Sequence, residues 1–550
     1  MGTQPIRVPL RADTAPPSTE SMPAGSWWQR SMDRAAWRTL LAGGGLLAVF
    51  VAFLAAVQFA TPSLVGNDGY YHIKLAYLMR TEGLRPTFNW LPLTVLNAEE
   101  FVDHHFFYHV LLMPFTYGDL RQGAKAASVI FAALTFLAIW WLLRGQRVPH
   151  AGLWSLGLLV ISEAFLYRMG MPRAQSLSLA VMALAVHWLL TDRHRLLLPL
   201  AFLYVWLYNA FPLIVLVTAA YVAGRWLVER RLVWRPLVYI TLGIGLGLVI
   251  NPYFPDNLVF ITRHLMPKLG DATATNVGSE WYPYNTTQLM ENSGLALIAL
   301  LAGVMALGLQ SQRMNTATAT SFFLTVLFGA MLFKSRRFVE YFPAYALIFA
   351  AMAWKPLIAD WLKGGTWHDT SRLPGNALIV RLGRLTSTPG WRSWATRIIM
   401  LAVLLPTLWL NLNASRSSTQ DSTPYQRYAG AAAWLQKNTP AGARVFQTDW
   451  DDFTRLFFYN THNTYTLGLD PTYMQLYDPE LYDVWVDISQ GQVTQPAEVI
   501  SQTFGAHYVL TDLGHEKFLR KAADDPGLAE VYRDGDAAIF QVVAPGTNLE

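Results

Sequence analysis

The stretch Val65-Gly66-Asn67-Asp68-Gly69-Tyr70-Tyr71-His72-Ile73-Lys74 decides how the rest of the chain is interpreted. It comes directly after a long apolar segment at 37–60 and continues into a pattern typical of a helix. A carboxylate at the point where a membrane span meets water is costly unless it has a function. Gly69 lets the backbone approach a ligand closely. An Asn-Asp cap that begins an interfacial helix explains the same residues equally well, so a functional interpretation depends on the polar residues elsewhere in the chain.

Composition places the chain in the membrane class. Of its 550 residues, 53% are hydrophobic and 14% are charged, against the ~25% charged residues of soluble domains. The apolar residues form blocks of ~15–22, long enough to cross a bilayer. The basic balance, with a pI near 9.1, comes from arginines between these blocks, so it indicates topology and predicts no nucleic-acid partner. The absence of cysteine excludes disulfides and cysteine-ligated metals and is compatible with a bacterial membrane protein.

The apolar blocks predict a mainly α polytopic membrane protein of about eleven spans. Arginine-rich flanks place the N-terminus in the cytoplasm and the C-terminal part on the outer side of an inner (plasma) membrane. Basic residues near membrane spans usually lie on the cytoplasmic side. The cluster Lys334-Ser335-Arg336-Arg337 is an exception, because it puts three cations on the predicted outer side. The predicted spans are 37–60, 124–143, 151–167, 174–190, 196–210, 211–228, 236–250, 293–310, 318–333, 338–356 and 395–412.

Three regions are predicted. Residues 1–36 are a disordered cytoplasmic tail, 37–412 are a transmembrane domain with outer loops 61–123 and 251–292, and 413–550 are an extracytoplasmic α/β domain. In the first outer loop, 106–117 is too short to span and is predicted to lie along the interface or to re-enter the membrane. In the α/β domain, helices are predicted at Tyr425–Asn438, Asp452–Tyr459 and 514–523, and strands at Arg444–Thr448, Thr464–Leu467, His507–Thr511 and Ala537–Val543.

The outer ends of the predicted spans carry an unusual set of polar groups. Carboxylates and imidazoles bind divalent cations, and guanidinium groups bind phosphate. Together they suit a lipid phosphate held at the bilayer surface, with a carboxylate that deprotonates or orients an acceptor. Solvated histidines, arginines that snorkel to lipid headgroups and ordinary loop acids are the competing explanations. The set comprises Asp68, Asp103, His104, His105, Arg168, Arg173, Glu280, Lys334, Arg336 and Arg337.

Three short motifs carry a family resemblance. Asp68-Gly69-Tyr70-Tyr71-His72 resembles the first acidic motif of the oligosaccharyltransferase catalytic subunits, which are GT-C glycosyltransferases. Val277-Gly278-Ser279-Glu280 is similar to the later loop motif of that family, and Trp450-Asp451 is similar to the core of its acceptor-binding motif. The order of parts also looks similar. The resemblance implies that the outer-loop acids bind a metal and orient the acceptor.

The sequence departs from that family at two places. Met171-Pro172-Arg173-Ala174-Gln175 stands where the second acidic pair is expected, and Asp452-Phe453 stands where the family has Tyr-Gly. Metal dependence and recognition of a peptide sequon are therefore both open. Our hypothesis is that Arg173 stands where a metal would neutralise phosphate, which would make the site less dependent on metal.

The sequence thus predicts an integral membrane glycosyltransferase that moves a sugar or glycan from a polyprenyl-(di)phosphate donor to an acceptor on the outer face. Membrane lipids are the other expected partners. The alternatives are a transporter or flippase-like protein with an outer sensing domain, and an assembly protein that binds cell-wall polymers. The predicted residues are Asp68 and Glu280 for catalysis; Arg336, Arg337, Arg173 and Arg168 for the donor phosphate; Trp450, Asp451, Tyr70 and His72 for the acceptor; and Asp68, Glu280, Asp103 and His104 for Mg²⁺ or Mn²⁺.

Overall fold

A computed structural model describes residues 34–271, 278–310, 313–363 and 389–543. By contacts the chain divides into Met1–Gly45 and Leu46–Glu550. Of the first unit, the described residues are the beginning of one helix. The predicted tail therefore lies almost entirely outside the described residues, as does most of the predicted inner loop 357–394.

Helices dominate the part of the chain before residue 421. Asp119 begins one of them by accepting hydrogen bonds from the backbone N–H groups of Arg121 and Gln122, which satisfies two donors that a helix start leaves unpaired. The helices are α1 Arg34–Gln58, α2 Asp68–Glu82, α3 Phe106–Leu112, α4 Leu120–Gly145, α5 Ala151–Leu156, α6 Glu163–Gly170, α7 Gln175–Leu190, α8 Leu197–Leu207, α9 Leu213–Glu229, α10 Arg235–Val249, α11 Asp256–Asp271, α12 Thr286–Leu309, α13 Thr316–Lys334, α14 Phe342–Leu362 and α15 Pro389–Gln420.

A helix lies at each of the eleven predicted spans, but their lengths differ. Within the described residues, six helices are long and apolar enough to cross a membrane. A seventh candidate is the pair Ala151–Leu159 and Glu163–Gly170, which is bent by 83°. The helices at the other four predicted spans, α7 to α10, have 11 to 17 residues. The chain is an integral membrane protein, and its described residues include both helices long enough to span a membrane and shorter apolar helices.

The C-terminal part contains a five-stranded mixed sheet, as the alternation of patterns predicted. Its strand order is β2-β1-β3-β5-β4, where β1 pairs in parallel with β2 and β3, and β5 pairs antiparallel with β3 and β4. Three helices and β4 were not predicted. The elements are α16 Ala429–Asn438, β1 Arg444–Gln447, α17 Phe453–Tyr459, β2 Thr464–Tyr465, α18 Thr472–Tyr477, α19 Pro479–Ser489, α20 Pro496–Phe504, β3 Tyr508–Asp512, α21 Glu516–Asp524, β4 Leu528–Arg533 and β5 Ala537–Val542.

Alternate residues of the sheet face two different cores, as the period of a strand requires. Val445 and Leu510 pack with aromatic residues of the segment after α2, including Phe88. Their neighbours Phe446 and Val509 pack with the helices α19 to α21. In the same segment after α2, the backbone carbonyl of Trp90 accepts from the N–H of Tyr465 at 2.8 Å. One face of the sheet is thereby fixed against the segment that follows α2.

Candidate active site

One large cavity lies where α2, the loop after α6, the turn after α13 and the sheet domain meet. Its volume is about 1060 Å³. Eleven of the predicted site residues line it. They are Asp68, His72, His104, His105, Arg168, Arg173, Glu280, Lys334, Arg337, Trp450 and Asp451.

Two glycines allow α2 and the loop after α6 to approach closely. A Cβ atom on Gly69 would lie 2.8 Å from the ring of Pro172, and Gly66, at a φ of +73°, leaves similar room for Met171. Only glycine accommodates both the contact and the positive φ at this place. The close approach places Arg173 beside the first carboxylate of α2.

The guanidinium group of Arg173 lies between two carboxylates. Its Nε is 3.1 Å from Oδ2 of Asp68, and its Nη1 is 3.7 Å from Oε2 of Glu280. Both carboxylates come from the motifs that carry the family resemblance. The cation that replaces the expected acidic pair therefore occupies the space between the two acids.

Glu280 is the centre of a wider network of ion pairs. Arg168 Nη1 donates to it at 2.7 Å and Arg337 Nη1 at 2.6 Å. Burial opposes ionisation of this carboxyl, but the guanidinium groups of Arg337, Arg168 and Arg173 outweigh burial and hold the pKa of Glu280 well below its usual range. Glu280 is thus a fixed negative charge that aligns three cations.

The network contains two residues that the sequence analysis missed. The side chain of Glu340 is fully buried, and Arg168 donates to its Oε1 through Nε at 2.8 Å and through Nη2. The hydroxyl of Tyr208 accepts from Nη2 of Arg337 at 2.7 Å. A carboxylate three residues after Arg337 in an apolar context was the available signal for Glu340. Tyr208 gave no comparable signal.

Adjacent arginines at the turn after α13 have different roles. Arg337 faces the cavity, whereas Arg336 does not line it. Arg336 donates to the carbonyls of Tyr282 and Pro283 at 3.3 and 3.2 Å and lies over the ring of Tyr284. Arg336 thereby fixes the segment that follows Glu280.

Some of the predicted acceptor residues line the cavity, and one of them lies behind its wall. Asp451 and Trp450 line the cavity, and Oδ2 of Asp451 accepts from Nδ2 of Asn67 at 2.6 Å. Burial, together with the charge of Asp68, raises the pKa of Asp451 to about 6. Tyr70 lies behind the wall, where its ring packs under the buried guanidinium of Arg455. Arg455 also donates to Oδ1 of Asn67 at 3.0 Å, and it too was missed from sequence.

The predicted metal ligands do not form one group. His104 lines the cavity and stacks on Phe260. Asp103 lies behind the wall, where it accepts from Nδ1 of His109 at 2.7 Å and from the backbone N–H of His105 at 3.0 Å. Asp68 and Glu280 share Arg173, so a divalent cation between them would meet a guanidinium group. This arrangement does not fit a metal at that position.

A separate group of carboxylates in the sheet domain could hold a metal ion. Oxygen atoms of Asp449, Asp452 and Asp512 lie within 4.8 Å of one another. Burial and the charge of Asp449 raise the pKa of Asp452 well above its usual range. A bound cation would reverse that shift, since it stabilises the ionised carboxylate. Of the three, none lines the large cavity.

Comparison with known proteins identifies the architecture. No protein-family model matches the chain. The oligosaccharyltransferase of Archaeoglobus fulgidus in its apo form superposes with a TM-score of 0.60 and 15% identity, covering 90% of this chain and 72% of that protein. ArnT from Cupriavidus metallidurans, bound to undecaprenyl phosphate, superposes with a TM-score of 0.54 and 16% identity, covering 94% of this chain and all of that protein. The chain has the GT-C fold.

A curated relative extends the GT-C likeness to the sequence. The dolichyl-phosphooligosaccharide-protein glycotransferase 3 of Archaeoglobus fulgidus is 28% identical over 259 residues. The match covers 43% of this chain and 28% of that protein. The chain thus spans little more than a quarter of the length of this relative. The resemblance predicted from the motifs is confirmed at the level of the GT-C fold.

Proposed function

We propose that the protein is an integral membrane glycosyltransferase that moves a sugar or glycan from a polyprenyl-(di)phosphate donor to an acceptor. The reaction takes place on the outer face of the inner (plasma) membrane. In this orientation the N-terminus is cytoplasmic and the sheet domain is extracytoplasmic. The observation that carries the proposal is the single cavity in which Asp68 and Glu280 meet Arg173 and Arg337.

The four predicted arginines have different roles at the proposed binding site for the anionic donor. Arg168 is held by Glu340 and Glu280 through all three of its guanidinium nitrogens, so it positions Glu280. The ion pairs and hydrogen bonds described above do not involve Nε of Arg337 or Nη2 of Arg173. These two side chains are the donor-phosphate ligands that we propose. Arg336 supports the loop that holds Glu280.

The donor class rests on chemistry and on the relatives together. Fixed cations in a partly dehydrated cavity stabilise the negative charge that a phosphate leaving group develops. A relative of the same fold is bound to undecaprenyl phosphate, and another is named for a dolichyl-phosphate-linked donor. Trp450, Asp451 and His72 also line this cavity, and we place the acceptor beside them.

The proposed reaction does not need a metal between Asp68 and Glu280. Arg173 supplies positive charge at the position where the family resemblance implies Mg²⁺ or Mn²⁺. Asp68 and Glu280 then act by holding this guanidinium group in place. A divalent cation in the sheet domain would bind Asp449, Asp452 and Asp512, where it would stabilise the fold.

The test measures transfer of sugar from isoprenoid-linked donors extracted from source membranes. Asp68→Asn removes the charge that anchors Arg173, so we expect transfer to fall by about 100-fold or more, with no loss of folded protein. Asp192→Asn is the matched control, because Asp192 also pairs with an arginine, at 2.6 Å, but does not line the cavity. Wild-type turnover in the Asp68 variant would contradict the proposal.

A further inference from the structure

A chain of three hydrogen-bonded side chains leads from a buried carboxylate to the cavity wall. Oδ2 of Asp103 lies 2.7 Å from Nδ1 of His109, and Nε2 of His109 lies 2.8 Å from Nδ1 of His72. His72 lines the cavity, whereas Asp103 and His109 lie behind it and are buried. The function proposed above places His72 at the acceptor but gives no role to His109 and Asp103.

The carboxylate determines which nitrogen of each ring carries hydrogen. Asp103 accepts from the backbone N–H of His105 with one oxygen, at 3.0 Å, and therefore takes the Nδ1–H of His109 with the other. Nε2 of a neutral His109 is then an acceptor, so His72 donates to it from Nδ1. The remaining nitrogen of His72, Nε2, is left with a lone pair.

Nε2 of His72 is available to a ligand. Among the described residues, none forms a hydrogen bond with this atom. Burial, followed by the influence of His109 and of the nearby Arg173, holds the pKa of His72 well below its usual range, which keeps the ring neutral. Of the carboxylates that line the cavity, Asp68 and Glu280 pair with guanidinium groups, and Asp451 accepts from Asn67. His72 is thus an unoccupied acceptor on the cavity wall, one turn of α2 after Asp68.

We infer that His72 is the general base that accepts the proton of an acceptor hydroxyl group, and that His109 and Asp103 position it. The inference rests on the proposed function and names its substrate class. In the step, the acceptor oxygen forms a bond with the anomeric carbon while the bond from that carbon to the phosphate oxygen breaks. The hydroxyl proton passes to Nε2, and the electron pair of the broken bond leaves on the phosphate. The arrangement follows the general logic of a base oriented by a third group.

The geometry favours a hydroxyl group over a carboxamide as the acceptor. A hydroxyl group has one hydrogen, which a single lone pair accepts. A carboxamide nitrogen carries two hydrogens and needs two acceptors to be held and activated. Of the carboxylates that could serve, Glu280 is bound to Arg168 and Arg337, Asp68 to Arg173, and Asp451 to Asn67.

The experiment uses the full-length protein, isoprenoid-linked sugars extracted from source membranes, and membranes that lack the protein as the source of acceptor. Mass spectrometry determines the linkage of the product, and we expect an O-glycoside. His72→Ala should lower kcat by about 100-fold or more, while the amount of bound isoprenoid phosphate, measured by native mass spectrometry, stays unchanged. His72→Gln gives a second, less disruptive variant if the first does not fold.

Kinetic measurements on Asp103 variants test whether Asp103 positions His109. Asp103→Asn presents an amide in place of the carboxylate, so it weakens the preference for one tautomer of His109. We expect kcat to fall at least tenfold with an unchanged KM for the donor, and Asp103→Glu to restore part of the rate. His515→Gln is the matched control, because His515 also bonds to an aspartate, at 2.8 Å, away from the cavity.

The outcomes separate the inference from the proposed function. Normal turnover by both His72 variants, or an N-linked product, would overturn the inference and leave the proposed transferase in place. Failure of the wild-type protein to consume any isoprenoid-linked donor would overturn the proposed function, and the inference with it. An O-linked product whose formation depends on His72 and Asp103 supports both.

Discussion

The guanidinium group of Arg173 lies 3.1 Å from the carboxylate of Asp68. This pair joins the first motif of the family resemblance to the residue that replaces the expected acidic pair. The same guanidinium group faces Glu280 at 3.7 Å, so its positive charge lies between two carboxylates and offsets part of their repulsion. A divalent cation at this position would act in the same direction.

Because Arg173 lies between the two carboxylates, we expect sugar transfer to be insensitive to metal chelation. Sugar transfer by the wild-type protein should be unchanged in EDTA, because Arg173 already supplies the positive charge. Arg173→Asp should lower transfer strongly in EDTA and regain part of it with Mn²⁺, since three carboxylates then face one another. Transfer assays with and without EDTA check both statements. Complete loss of wild-type activity in EDTA, at a temperature where the protein stays folded, would contradict them.

Loss of the buried partner of Arg168 should destabilise the protein. Glu340→Gln removes a fully buried charge that pairs with Arg168, and we expect a cost of about 3 kcal/mol, the lower end for breaking a buried ion pair. Glu280 remains as a second partner, which limits the effect. Thermal unfolding in detergent measures it. In Glu530→Gln, which breaks an exposed pair with Arg533, the change should stay below about 1 kcal/mol.

Stability should depend on pH through Asp451. Its pKa of about 6 in the folded protein lies above the unfolded value of about 4. The protonated carboxyl therefore contributes stability that is fully present below about pH 4 and is lost as the pH rises through about 6. Asp451→Asn keeps a neutral side chain at every pH, so it should be more stable than wild type by about 2 to 3 kcal/mol above pH 7.

Unfolding curves at pH 5 and pH 8 check the prediction for Asp451. The stability gained by the variant should grow between these two values. Asp536→Asn, at an exposed turn, provides the comparison for a carboxylate outside the cavity. An Asp451 variant that loses the same stability at both pH values would show that the side chain acts only through its hydrogen bond with Asn67.

The sequence was sufficient for the architecture because apolar length and charge are local properties. All eleven predicted spans contain a helix, and the strands at Arg444–Gln447 and Ala537–Val542 were predicted within two residues. The full lengths of the helices at the predicted spans were harder to predict. The turn between α8 and α9 at Tyr208–Pro212 shortens two predicted spans, and it depends on tertiary packing more than on hydropathy.

From the sequence, the candidate site was predictable only as a set of charged groups on one side of the membrane. Sequence placed Asp68, Glu280 and Arg173 at outer loops, and the structure brings them together. The sequence did not distinguish Arg337, which faces the cavity, from its neighbour Arg336, which supports a loop. That difference arises from the short turn after α13. The roles of His109 and Glu340 likewise depend on partners distant in sequence.

In the proposed enzyme, Arg173 and Arg337 hold an isoprenoid phosphate in the cavity. Native mass spectrometry of the purified protein tests this binding most directly, with Arg225→Ala as the control, because Arg225 pairs with Asp192 and Glu229 outside the cavity. We predict that the wild-type protein and the control carry a bound isoprenoid phosphate, and that the folded double variant Arg173→Ala, Arg337→Ala does not. Equal retention of the lipid by the double variant would contradict the claim.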